Sequence, residues 1–278
     1  MTLWPRFFRR RPRLPGLRTE LWPTSDGDEV ELLRLDAGPQ APHFLVLHGL
    51  EGSYRSHYVG PLLLSAWRAG WSAALLLFRG CGSRPNKCLG SYHSGETGDL
   101  DMVVRRIRDE NPGSAVAIAG ISLGGNVLLK WLGERGSVAS DLVQAAVAVS
   151  VPYDLERSAR HISEGLSRIY ERHFVRSLIR KARAKLERFP EAGLLSGVEA
   201  VRSLVEFDDA FTAPVHGFQS ASEYYARCSS LFFLDRIRVP TLLLSARDDP
   251  FHPTELLDEV RQVAVRNPVL RVEFHPRG

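Results

Sequence analysis

Short apolar runs alternate along this chain with longer stretches of three- and four-residue periodicity. That alternation predicts a mostly parallel sheet covered by helices on both faces. Apolar runs at 30–35, 44–47, 73–78, 115–119, 145–151, 241–245 and 270–274 predict strands. Their near-continuous Val, Leu, Ile and Ala content suits strands buried on both faces. Helical periodicity predicts helices at roughly 58–69, 97–109, 123–135 and 254–265. Asp26-Gly27-Asp28 reads as the turn before the first strand, and Asn111-Pro112-Gly113 as the stop after the second helix. About ninety residues between Val151 and Pro240 break the rhythm, far more than a crossover needs. There Leu166, Ile169, Tyr170, Phe174 and Leu178 recur at spacings of three and four among arginines. The stretch predicts a helical insertion over the sheet edge, with lid or plain packing duty both open.

Charge changes the picture only locally. Residues 1–18 carry six arginines and no acid, and residues 157–188 carry ten Lys/Arg against three Glu. The total is +4, so everything else bears a net −9. Basicity belongs to two segments and no nucleic-acid motif accompanies it, so these runs read as solvated faces and no nucleic-acid partner is expected. The apolar residues of 1–18 are scattered among arginines and prolines, unlike a secretory signal. Trp4, Phe7 and Phe8 there form a candidate for peripheral contact with an anionic membrane, or for packing on the back of the fold. The three cysteines, Cys81, Cys88 and Cys228, lack metal-ligand spacing and read as ordinary thiols, which makes a reduced cytoplasmic setting the expectation. The expected layout is a basic segment over 1–24 and one α/β domain over 25–278 carrying the insertion at about 152–238.

Chemistry enters at Gly120-Ile121-Ser122-Leu123-Gly124, which follows one predicted strand and opens a predicted helix. A G-x-S-x-G turn in that setting is a nucleophile elbow: small neighbours let a strained serine stand above the sheet at a helix N-terminus. Ser122 is therefore the candidate nucleophile. His48-Gly49-Leu50-Glu51-Gly52 follows the 44–47 strand and matches the loop that supplies the second oxyanion donor. The candidate oxyanion hole is the backbone N–H of Leu50 and of Leu123. His48 itself reads as a prop for that loop. After the 241–245 strand come Asp248 and Asp249, where a triad carboxylate belongs. Asp249, directly before Pro250, is favoured; Asp248 stays open. The histidine is expected in a loop past the last strand, whereas His275 lies on or just past that strand and is disfavoured as base. His93 and Glu96 read as loop structure, with substrate contact as the alternative.

Taken in order, several stretches resemble the AB-hydrolase family 4 esterases, the YheT-like group of lipid esterases. They are His48–Gly52, Phe78-Arg79-Gly80-Cys81, 91–97, 120–126, Phe207-Asp208-Asp209, His216-Gly217-Phe218, Tyr224-Tyr225 and Asp248-Asp249-Pro250-Phe251. The resemblance runs over essentially the whole chain. It implies an α/β-hydrolase fold with a helical lid insertion and a cofactor-free, metal-free Ser–Asp–His esterase acting on small-molecule or lipid esters. It carries the nucleophile onto Ser122 and the acid onto Asp249. It implies a base in a Gly-Gly-His stretch starting at Gly278, which would put the histidine past this C-terminus and leave the chain as given impaired. Thr2-Leu3-Trp4-Pro5 similarly resembles the middle of the family's N-terminal segment. A binding protein of this fold without turnover is the competing expectation.

Overall fold

The computed structural model describes residues 12–278. The Trp4, Phe7 and Phe8 cluster lies outside the described residues. An eight-stranded sheet has the order β1-β2-β4-β3-β5-β6-β7-β8. The strands are β1 Arg18–Pro23, β2 Glu29–Leu35, β3 His43–Leu47, β4 Ser72–Leu77, β5 Val116–Ile121, β6 Ala145–Val149, β7 Thr241–Ala246 and β8 Leu270–His275. β1 and β2 run antiparallel to their neighbours; every pairing from β4 onward is parallel. All seven expected strands form within a residue or two of the expected ends. β1 was not foreseen, because Trp22 is the one deeply buried side chain of Arg18–Pro23 and one residue makes no period.

The two-residue period of the strands sorts side chains onto opposite faces. Val46, Ala73, Leu75 and Leu77 pack with Val59 and Leu63 of the Val59–Arg68 helix. Leu45, Leu47, Ala74 and Leu76 face the other core, which the Gly98–Glu110, Leu123–Arg135 and Thr254–Arg266 helices cover. Burial on both faces explains why these strands read as unbroken apolar runs. The Gly98–Glu110 helix starts with Asp99 and Asp101, whose charge suits its N-terminus, and stops at Asn111, followed by Gly113 at φ 85°.

Between β6 and β7 the chain forms helices including Leu155–Ile162, Arg168–Leu186 and Ala221–Cys228. They carry apolar clusters of their own: Val175, Ala182 and Leu186 meet Phe207 and Phe211, while Leu155 and Ala159 meet Tyr224 and Tyr225. Towards the end of this segment Leu234, Ile237 and Val239 rejoin the main core. Among the described residues no helix is long and apolar enough to cross a membrane.

Candidate active site

Ser122 sits between the last residue of β5 and the first of the Leu123–Arg135 helix, at φ 54° and ψ −120°. Few L-residues adopt that conformation. Neighbours hold it there: the Ser122 N–H donates to Val149 O at 2.8 Å, and Ser122 O accepts from Gly125 and Asn126 at 2.8 and 3.1 Å. The flanking glycines are a packing requirement. A Cβ on Gly124 would lie 2.6 Å from the carbonyl oxygens of Leu47 and His48, and one on Gly120 would lie 2.5 Å from Gly124 O. Only at this closeness can the helix start directly against the end of β3.

The loop after β3 comes equally near. A Cβ on Gly49 would stand 3.2 Å from Ser122 Cβ and 3.7 Å from its Oγ. His48 supports this loop from beneath, fully buried. The Phe78 N–H donates to His48 Nε2 at 3.1 Å, so Nε2 is unprotonated, and Nδ1–H donates to Gly49 O at 2.8 Å. Burial pushes the imidazole pKa down to about 4, consistent with this neutral tautomer. Gly49 N–H donates to Tyr58 Oη at 3.0 Å and Glu51 N–H to Tyr92 Oη at 2.8 Å. Among the described residues the Leu50 amide has no hydrogen-bond partner. Leu123 opens its helix, where N–H groups lack intrahelical acceptors.

Leu50, Ser122 and Leu123 line one cavity of about 450 Å³, together with Phe174, Tyr92 and Phe251. The wall opposite the sheet comes from the helices between β6 and β7. Glu51 joins the two halves, a link the sequence did not reveal. Its carboxylate accepts from Tyr92 Oη at 3.0 Å, Ser177 Oγ at 2.5 Å and Lys181 Nζ at 2.8 Å. Lys181 also donates to Cys81 Sγ at 3.4 Å, and burial pushes that thiol up to about 11.

Asp248 and Asp249 follow β7 as expected. Asp249 is the shielded one: its Oδ1 accepts the Phe251 N–H at 3.0 Å, and its Oδ2 lies 3.8 Å from Nε2 of buried His252. Asp248 is exposed and accepts the Gly278 N–H at 2.9 Å, so the chain after β8 returns to this loop. His275 is an exposed residue of β8, its carbonyl taken by Arg247 N–H at 2.8 Å.

His93 and Glu96 show local structural partners. Gly95 N–H donates to His93 Nδ1 at 3.1 Å, and Glu96 Oε1 accepts from Gly98 and Asp99 N–H at 2.6 and 3.2 Å. His93 and His216 nonetheless meet in the cavity wall, ring centroids 4.4 Å apart and planes tilted by 49°, burial lowering them to about 3 and about 4. Asp208 accepts from Thr212 Oγ1 at 2.6 Å and Tyr225 Oη at 2.7 Å, and Asp209 accepts the Ala221 N–H at 2.5 Å. No cluster of three or more metal-ligating side chains occurs among the described residues.

Comparison with known proteins agrees with this fold. Residues 42–274 match the family described as alpha/beta hydrolase fold. The Escherichia coli protein YheT, named only provisionally as an esterase, is 40% identical over 258 residues, a match covering 90% of this chain and 74% of that protein. A monoacylglycerol lipase of Saccharomyces cerevisiae is 29% identical over 237 residues, covering 82% of this chain and 52% of the lipase. The chain thus spans about three quarters of the first relative's length and about half of the second's. The fold matches that of the Pyrococcus furiosus esterase Pf2001 with a TM-score of 0.62 at 19% identity, covering 97% of this chain and 88% of that one. The chain belongs to the alpha/beta hydrolase fold family, in its AB-hydrolase family 4 branch.

Proposed function

We propose that this protein is a serine esterase in which Ser122 attacks the carbonyl carbon of a carboxylic ester. The observation that carries the reading is Ser122 itself, held at positive φ on the elbow and open to the 450 Å³ cavity. The backbone N–H groups of Leu50 and Leu123 are the proposed donors to the developing oxyanion. Each such donor is worth about 3 kcal/mol in the transition state. Asp249 is the proposed acid; its low exposure and its bond from Phe251 N–H suit a carboxylate held in one orientation. The proposed base is the histidine of the Gly-Gly-His stretch that the family resemblance starts at Gly278. Support comes from the path of the chain, since Gly278 already lies against the acid loop.

In the first step the histidine takes the Ser122 proton as Oγ bonds to the carbonyl carbon. Collapse of the tetrahedral intermediate expels the alcohol, which takes that proton, and leaves an acyl-serine. Water then repeats the sequence and releases the acid. The helices between β6 and β7 serve as the lid, and their Phe174 and Leu178 give the acyl chain an apolar wall. Small-molecule and lipid esters are the proposed substrates, in keeping with the lipase and esterase named among the relatives.

In a chain carrying the Gly-Gly-His stretch, a fluorophosphonate probe is expected to label Ser122, with turnover of a p-nitrophenyl ester. Ser122→Ala removes both, and Asp249→Asn lowers turnover on the order of 10,000-fold. Labelling that survives Ser122→Ala rejects the nucleophile; a larger loss from Asp248→Asn than from Asp249→Asn rejects the acid.

A further inference from the structure

The Arg168–Leu186 helix has two unlike faces. Phe174, Leu178, Lys181, Ala182 and Lys185 turn inward to the cavity. The outer face carries Arg168, Arg172, Arg176 and Arg180, four exposed arginines at every fourth position. Among the described residues none of these four has a carboxylate within ion-pair distance, whereas Arg183 on the same helix pairs with Glu199 at 2.9 Å. Like charges spaced by four repel along a helix, so the row is unfavourable unless something anionic lies over it. At the start of the same helix Leu166 is 84% and Ile169 61% exposed. This end is fastened beside the cavity: Ser167 Oγ donates to Pro250 O at 2.9 Å, and Tyr170 meets Phe251 edge-on at 5.2 Å.

From this juxtaposition we propose that the outer face of the Arg168–Leu186 helix docks on an anionic lipid bilayer. The arginines meet lipid headgroups, and Leu166 and Ile169 enter the acyl boundary beside the aromatic wall formed by Tyr170, Phe174 and Phe251. A cationic row alone would serve any polyanion, nucleic acid included. The neighbouring exposed aliphatic pair selects the bilayer, because only an interface offers anionic groups and hydrocarbon a few ångströms apart. Docking here would set the cavity against the membrane, so the inference concerns where the protein works and stands apart from the chemistry of Ser122.

The test is co-sedimentation of the full chain with vesicles of phosphatidylcholine alone, and of phosphatidylcholine with phosphatidylserine at three to one. Binding to the anionic vesicles is expected, and each arginine contributes about fivefold. R172Q/R176Q, and separately R168Q/R180Q, should therefore weaken binding about 25-fold. L166S/I169S should weaken it too, and should leave the remaining binding fully reversed by salt. Equal binding to neutral and anionic vesicles overturns the proposal. So does full-strength binding by both arginine pairs, which would assign the attraction to another segment. An undiminished L166S/I169S, with duplex DNA displacing the vesicles, would make the row a general polyanion site and likewise overturn it. No outcome depends on turnover.

Discussion

Ser122 holds a backbone conformation that costs a non-glycine residue about 1–3 kcal/mol. The cost is carried by the closeness of β3, β5 and the following helix, and it leaves a measurable trace. Glycine adopts positive φ freely, so Ser122→Gly should stabilise the fold by about 1 kcal/mol, after its greater unfolded-state entropy is deducted. Ser122→Ala keeps the strain and should change stability by less than about 0.5 kcal/mol. Urea unfolding of the three proteins checks this; equal midpoints for the glycine and alanine variants would mean the elbow is relaxed. His48 shows the reverse use of a conspicuous residue. Its position next to the oxyanion loop invites a catalytic reading, yet both ring nitrogens are occupied by backbone groups. Between Asp248 and Asp249 the sequence favoured the residue before Pro250, and the difference in exposure between the two was not legible there, because adjacent residues differ in the direction their side chains take.

Among the elements, the Leu123–Arg135 helix ties the site together. Asn126, three residues into that helix, is fully buried. Its amide donates to Ser94 O and Cys228 O, both at 2.8 Å, and its Oδ1 accepts the Ser230 N–H at 2.9 Å. Three buried backbone groups, one at Ser94 and two at the end of the Ala221–Cys228 helix and just past it, thus depend on one side chain. Asn126→Ala leaves them without partners, and should cost about 3 kcal/mol or more. Thermal unfolding measures this, and a loss below about 1 kcal/mol would show that these backbone groups find other partners. The helices between β6 and β7 followed the predicted periodicity only in part. Phe174 and Leu178 turn inward as their spacing implied, whereas Leu166 and Ile169, in the same period, remain at the surface.

For the whole molecule, buried titratable groups dictate how stability varies with pH. Burial lowers His48 to about 4, His93 to about 3 and His216 to about 4, from 6.5 in the unfolded chain. Their contribution is complete above pH 6.5 and is lost as pH falls, because the unfolded chain takes up protons that the folded one refuses. Burial raises Asp208 from 3.8 to about 6, which acts oppositely: its contribution is complete below 3.8 and is lost as pH rises through 6. Near pH 5 these three histidines outweigh Asp208 by about two protons, so these four groups together should lower stability by about 2 to 3 kcal/mol per pH unit there, and burial lowers His43 and His252 in the same sense. Asp208→Asn should steepen the fall to about three protons. Urea titrations between pH 7 and 5 test both, and a flat profile would contradict the burial of these side chains.

What depends on near neighbours was legible in the order of residues. Strand and helix positions follow from periods of two and 3.6, and the elbow from glycines flanking a serine between a strand and a helix. Family membership follows from motifs kept in order. Tertiary structure alone decided what depends on residues far apart: Glu51 meeting Lys181 across 130 positions, and Asn126 meeting Ser230 across 104. It also decided that β1 joins the sheet, that Asp249 is shielded while Asp248 is not, and that a row of arginines has no acid beside it among the described residues. The reason is that a side chain's local pattern limits which face of its element it can occupy, whereas its partners are chosen by how the elements pack.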